Sequence, residues 1–223
     1  MTVSGCGTDL SPGAAATVDG TVITDTTVDD LTQAACDFTS ESREQQDGAA
    51  SGGDAPSLVL ADLKASLLQA LIEFELTDTA AEELDVEVTR AQISQLTAQQ
   101  PVPEGLADEA SEIIGEFFEM SAKNQLQRAV IGAKLRDPSL ASPDDATEED
   151  LQAANDYLQD SYSDADVEVS PRFGRWDGAT LEQGTGSLSD PVSTTAAEEP
   201  IPGQVDPQTD NPADDLPPSQ VCG

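Results

Sequence analysis

Two short stretches of β-branched residues, one near each end of the folded region, constrain the fold more than any other feature. The first is Ala16–Thr24 (ATVDGTVIT), and its Asp-Gly pair favours a two-residue hairpin turn because both central residues need positive φ. Two strands are marginal alone and need a third. Val167 and Val169 have the period-two spacing of a strand and no helix signal. We therefore predict that the two stretches meet in one small antiparallel sheet.

Between these strands the apolar spacing predicts about five helices. The segments expected to be helical are Asp25 to about Cys36, a long helix from Leu60 through Leu76, a short one that opens with the capping box Thr89-Arg90-Ala91-Gln92, a second long one over Leu106–Arg136, and a last one capped by Thr147. The loop between the first two, 39–57, is rich in Ser, Gly, Glu and Gln, and we expect it to be mobile. The fold class is therefore mainly α, with a small antiparallel sheet.

The ends of the chain differ in composition from this middle. Residues 178–223 are dominated by Pro, Asp, Ser, Thr and Gly without apolar periodicity, which predicts a disordered acidic tail. The first few of residues 1–14 are interpreted as the remnant of a secretion signal. The small and polar residues after them are expected to form a tether. The predicted organisation is a tether over 1–14, one helical domain over 15–177 and a tail over 178–223.

Charge and residue types exclude several classes of function. The chain has 44 acidic and 9 basic residues, so it repels phosphate backbones, and nucleic-acid binding through a basic surface is excluded. It contains no histidine, which removes the usual general base and the commonest zinc ligand. The carboxylate clusters around 144–150 and 160–168 do not follow EF-hand spacing and are interpreted as solvated faces. We predict no catalytic residue, no metal site and no cofactor.

Cys6 lies in a short motif, Val3-Ser4-Gly5-Cys6, that resembles a bacterial lipobox. In such a motif the cysteine receives a diacylglyceryl group, and further acyl chains hold the protein at a membrane surface. The alternative is an ordinary free cysteine in a disordered end. Lipidation of Cys6 predicts an exported protein at the outer face of the bacterial cytoplasmic membrane.

Cys36 and Cys222 then remain, and two interpretations stand. In an oxidising compartment they can pair and tie the tail to the first helix. The alternative is a buried, apolar Cys36 and an unrelated thiol in the tail. Spacing along the chain does not decide between them, because the geometry of a disulfide is a property of the fold.

The order of these parts resembles a known chaperone module. The resemblance depends on the strand with Val-Asp-Gly-Thr-Val-Ile-Thr, the polar helix after it, the segment 67–72 followed by 80–89, and the closing Val-Ser-Pro-Arg-Phe-Gly-Arg-Trp-Asp that ends at Asp177. Together they are similar to the SurA N-terminal type of module, relatives of which occur in PrsA-like foldases and in the C-terminal region of trigger factor. Members commonly carry a parvulin prolyl-isomerase domain before the closing strand. Here about thirty residues separate Arg136 from Val167, against the ~100 residues of a compact catalytic domain.

The resemblance implies client binding without a parvulin domain. We expect a holdase-type chaperone whose partners are unfolded or newly secreted proteins, with Phe117, Phe118 and Met120 as candidate client contacts because such side chains make adaptable contacts. At helical spacing the same residues also fit a core. Two alternative functions stay open: a peptidyl-prolyl isomerase of the SurA and PrsA type, and an envelope lipoprotein that binds one fixed partner.

Overall fold

The computed structural model describes residues 10–47, 58–182 and 216–222. Within these ranges the helices are Asp25–Asp47 (α1), Leu60–Glu83 (α2), Arg90–Thr97 (α3), Asp108–Arg136 (α4) and Glu148–Asp164 (α5). The strands are Ala14–Val18 (β1), Thr21–Thr24 (β2), Leu58–Val59 (β3), Val167–Val169 (β4), Arg175–Trp176 (β5), Leu181–Glu182 (β6) and Val221–Cys222 (β7). The predicted mainly helical class is confirmed.

The predicted small sheet is present, and β1 is its middle strand. The order is β2-β1-β4 with antiparallel pairs on both sides, and Ala16 lies opposite Val169. Asp19 and Gly20 take the left-handed conformation that the hairpin turn requires, with φ of 46° and 88°. The Asp19 N–H donates to the Asp166 carbonyl at 2.9 Å, and the Asp166 N–H donates to the Asp19 carboxylate at 3.0 Å. The turn is thus fastened to the segment that leads into β4.

The core lies where α2 and α4 meet α5 and the sheet. Leu68 and Ile72 of α2, Val130 and Ile131 of α4, and Leu158 of α5 are all essentially inaccessible to solvent. Buried residues recur along most of the length of α2, so this helix is a central element of the core. Burial of one such side chain contributes about 1.5–3 kcal/mol.

The helix starts follow from local capping. Thr89 accepts from the Gln92 N–H and receives the Gln92 side chain in return, and Thr147 forms the same box with Asp150. Both capping predictions are confirmed. The end of α2 also has a local cause: Asp85 takes φ of 50°, and the Val86 N–H donates to the Ala81 carbonyl.

The predicted loop over 39–57 is wrong in its first part. Helix α1 continues to Asp47 instead of ending near Cys36. The Thr39 and Ser40 hydroxyls donate to the carbonyls four residues earlier, at 2.8 and 3.0 Å, and Phe38 packs against Phe118 of α4. The packing of Phe38 against Phe118 holds this polar extension to α4, although the extension has no apolar stripe of its own. The rest of that loop, 48–57, lies outside the described residues.

The predicted disordered tail over 178–223 is wrong at both of its ends. Leu181 is buried, β6 pairs with β5, and the Leu181 N–H donates to the Gln69 side chain at 3.2 Å. At the other end β7 pairs with β3, and Cys222 is 2% exposed. Each strand is only two residues long. The partner of β7 is distant in sequence, whereas β6 pairs with the nearby β5 and is held against α2 through Gln69. Residues 183–215 lie outside the described residues.

Candidate functional site

Two of the three predicted client contacts, Phe117 and Phe118, lie in packing contacts between helices. The Phe118 ring meets Phe38 of α1 nearly at right angles, with centroids 5.7 Å apart. The Phe117 ring meets Phe74 of α2 at the same separation and a tilt of 45°. Aromatic pairs of this geometry add about 0.5–1.5 kcal/mol beyond area burial. The structure thus gives both rings a packing role, and their contact with a client stays a prediction.

Met120 is placed differently from the two phenylalanines. Its side chain is 39% exposed and lies in a groove of about 340 Å³ between α3 and α4. We call this the α3–α4 groove; its lining residues are Ile93, Glu116, Glu119, Met120 and Lys123. The groove has this form because α3 has no fully buried residue and lies along α4 as a short surface helix.

The polar side of the α3–α4 groove is organised by Asp78 of α2. One carboxylate oxygen of Asp78 accepts from the Lys123 ammonium at 2.6 Å, and the other accepts from the Gln127 amide at 2.7 Å. Burial raises the pKa of the nearby Glu75, and the Asp78 charge raises this pKa further, while Lys123 lowers it. Lys123 is therefore held towards α2, whereas Glu116 and Glu119 are exposed.

A second, larger cleft of about 650 Å³ lies among α2, α5 and the β1–β2 turn. Four carboxylates line this acidic cleft, together with the side chains of Thr79, Ser161 and Tyr157; they are Asp19, Glu83, Asp160 and Asp164. Among the described residues no group of three or more acidic or cysteine side chains is arranged to hold a metal ion. Of the two predicted solvated clusters, that around 144–150 includes Asp150, which is instead buried and paired with Arg136.

Two of the three cysteines form a disulfide in the structure. Cys6 lies outside the described residues, so lipidation stays a prediction. Cys36 of α1 and Cys222 of β7 are joined in a disulfide, with Cα atoms 5.2 Å apart. That separation lies within the usual range of roughly 4.4–6.8 Å. The bond fastens the far end of the chain to α1 beside the β3–β7 pair.

The two arginines of the closing segment also hold structural positions. Arg172 pairs with Asp25 at the start of α1 and lies over the Phe173 ring, 4.9 Å from its centroid. Arg175 pairs with Glu182 across the β5–β6 pair at 3.3 Å. The segment after β4 thus connects the sheet to the beginning of α1.

Residues 1–110 match the family model of the SurA-like N-terminal domain. The chain carries a SurA-like N-terminal module. No curated protein and no solved structure gave a significant match. The comparisons therefore show the SurA-like N-terminal domain over residues 1–110 and no relative with a specific function.

The match to the SurA-like module covers the β1–β2 hairpin, α1, α2, α3 and the start of α4. Ile93 lies within the matched residues, whereas Glu116, Glu119, Met120 and Lys123 lie beyond them. The closing segment up to Asp177, on which the resemblance seen in the sequence also depended, lies beyond them too. Residues 137–166, between α4 and β4, hold a short 3₁₀ turn and α5. Among the described helices, none combines the length and the apolarity that crossing a membrane requires.

Sequence reasoning identified Met120 but missed its neighbours in the α3–α4 groove. Ile93 is an isolated apolar residue early in a polar helix, which is a weak signal that such a helix lies on the surface. Glu116 and Glu119 looked like any other exposed carboxylates. Their proximity to Ile93 follows only from the way in which α3 packs along α4.

Proposed function

We propose that this chain is an extracytoplasmic holdase-type chaperone that binds unfolded or newly exported proteins through apolar helical surface. The observation that carries the proposal is the α3–α4 groove, in which Met120 and Ile93 offer apolar surface beside a SurA-like N-terminal module. A methionine side chain adapts to differently shaped partners because it is unbranched and polarizable. Such a surface favours weak binding of many sequences over tight binding of one.

The charge of the chain supports the same function. A net charge of −35 opposes self-association, so a complex that carries an exposed apolar client stays in solution. The proposal requires no catalytic group and no cofactor.

We propose further that acyl chains on Cys6 anchor the chain to the outer face of the cytoplasmic membrane. The lipobox-like Val3-Ser4-Gly5-Cys6 supports this localisation. Expression of the precursor in a bacterium that processes lipoproteins, followed by detergent phase partition, tests it. The native chain is expected in the detergent phase and the Cys6→Ser variant in the aqueous phase; recovery of both from water would contradict anchoring.

Light scattering tests the holdase directly. Several unrelated, chemically unfolded clients are diluted into buffer with and without a molar equivalent of residues 7–223. Suppressed scattering for most clients is expected. Unchanged scattering for all of them would overturn the holdase and favour a lipoprotein with one fixed partner, which should retain a single native protein.

A matched pair of variants locates the client surface. Met120 and Leu135 lie on the same helix with exposed fractions of 39% and 41%, but only Met120 lines the α3–α4 groove. Met120→Gln should raise the concentration that halves scattering by roughly tenfold, because burial of one such side chain is worth a factor of that order. Leu135→Gln should leave it unchanged. Equal effects of the two variants would move the client surface away from the groove.

A further inference from the structure

The basic side chains of this chain are largely occupied by contacts within the fold. Examples among the described residues are Lys64 with Asp29, Lys123 with Asp78, Lys134 with the Leu84 and Asp85 carbonyls, Arg128 with Asn155, Arg136 with Asp150, Arg172 with Asp25 and Arg175 with Glu182. With 44 acidic residues, most carboxylates then have no basic side chain to balance them.

The α3–α4 groove combines this uncompensated charge with apolar surface. Glu116 and Glu119 lie one turn apart on α4, and both are exposed beside Met120. Lys123, the one basic side chain that the described residues contribute to the lining, places its ammonium 2.6 Å from an Asp78 oxygen on the α2 side. The groove therefore offers an apolar floor beside two exposed carboxylates that form no ion pair with a described residue.

We infer that the α3–α4 groove selects unfolded segments in which a basic side chain neighbours an apolar one. The inference deepens the proposed function and rests on it. The apolar side chain packs on Met120 and Ile93, while a lysine or arginine pairs with Glu116 or Glu119. An acidic segment loses this pairing and is also repelled by the net charge of −35.

The acidic cleft is the natural comparison for this groove. It is larger and carries four carboxylates, and its lining also includes Leu76, Tyr157 and Ala165, but it holds no methionine. If charge alone attracted clients, the acidic cleft would be as good a site as the groove. If selection needs the exposed, adaptable side chain of Met120 beside the charge, only the carboxylates of the groove will matter.

Peptide binding tests the inference. Three fluorescent, unfolded peptides share the same apolar residues and differ only in carrying Lys, Gln or Glu between them. Fluorescence anisotropy at low ionic strength should give the order Lys, Gln, Glu, with roughly two- to tenfold between Lys and Gln for two exposed pairs. Sodium chloride at about 1 M, where the Debye length is near 3 Å, should remove most of this difference.

Two double variants with equal charge change assign the effect to a site. Glu116→Gln with Glu119→Gln should abolish the preference for the Lys peptide, whereas Asp160→Asn with Asp164→Asn, in the acidic cleft, should preserve it. Thermal melts by circular dichroism check that both variants fold. Loss of the preference in the cleft variant, or its survival in the groove variant, would overturn the inference.

The same measurements separate this inference from the holdase proposal. Equal affinity for the three peptides, with client scattering still suppressed, would contradict charge selection but not the holdase proposal. Absence of binding to any peptide, with client scattering unchanged, would contradict both.

Discussion

The buried carboxylate of Asp150 receives the guanidinium of Arg136, which lies fourteen residues earlier at the end of α4. Arg136 Nε lies 2.9 Å from Oδ1 and Nη2 lies 3.0 Å from Oδ2. The backbone N–H and the hydroxyl of Thr147 also donate to Oδ2, each at 2.8 Å. One side chain thus completes the cap of α5 and ties that cap to α4.

Because of Asp150, the free energy of unfolding should decrease at low pH. The hydrogen bonds from Arg136, and then those from Thr147, hold the pKa of this carboxyl well below its ordinary value of 3.8. Because the folded pKa is depressed, the contribution is fully present above about pH 4 and is lost as the pH falls towards the folded pKa. Asp150→Asn should therefore lower the urea midpoint at pH 7, and the gap to the native chain should narrow by pH 2.5.

Glu149→Gln is the control for this prediction. Glu149 lies in the same first turn of α5 but is exposed. Its removal should change the midpoint little at either pH. A gap for Asp150→Asn that stays constant with pH would show that the carboxylate charge is not responsible.

Alanine substitution at Gly132 should destabilise the fold, whereas the same substitution at Gly115, on the same helix, should stabilise it. A Cβ at Gly132 would lie 2.1 Å from the Asp150 carbonyl oxygen, so α5 would have to move away. Gly132→Ala should cost about 1–3 kcal/mol. A Cβ at Gly115 meets nothing within 4 Å, so Gly115→Ala should gain about 0.5–1 kcal/mol from helix propensity. Urea unfolding of both variants measures this, and equal signs would refute the close contact of α4 with α5.

Thr77 and Tyr162 form a buried hydrogen bond of 2.7 Å between α2 and α5. Thr77 also donates to the Glu73 carbonyl, so Tyr162 is the donor to Thr77. Tyr162→Phe should cost about 0.5–1.5 kcal/mol. Thr77→Val should cost more, because it leaves the phenol buried without its partner. A double-mutant cycle by urea unfolding measures the coupling energy of the two side chains. Additive free-energy changes would show that they form no hydrogen bond.

The Cys36–Cys222 pair predicts a fixed thiol count. Unfolded residues 7–223, purified without reductant, should show no free thiol, and reduction should release two. Because the bond closes 186 residues of chain, its loss in Cys222→Ser should cost about 2–5 kcal/mol. Two thiols before reduction would contradict the pairing. The double variant Cys36→Ser/Cys222→Ser should have the same free energy of unfolding as Cys222→Ser alone, since either change removes the same bond.

Local chemistry explains which parts of the fold were predictable. The Asp19-Gly20 turn and the caps at Thr89 and Thr147 depend on residues within four positions of each other, and all three were predicted. The three-stranded sheet was predictable because the hairpin needed a third strand and the sequence offered one good candidate.

Most of the errors and omissions involve contacts between residues that are distant in sequence. The polar half of α1 lacks an apolar stripe, so nothing before the structure indicated that Phe38 reaches Phe118. Strands of two residues, such as β6 and β7, carry almost no periodicity. The α3–α4 groove escaped prediction for the same reason, since Ile93 and Met120 come together only through the packing of two helices.

The position of β1 at the middle of its sheet has a consequence for the order of folding. Whether a chain leaves a ribosome or is threaded across a membrane, its N-terminus emerges first, so the β1–β2 hairpin can form early. One edge of β1 then waits for β4, which emerges only after all five helices, and the contact between Ala16 and Val169 is among the last to become available. The pairing is slow because the intervening chain must first be brought together. A chaperone module built in this way stays incomplete, with an open strand edge of its own, until nearly the whole helical domain has been made.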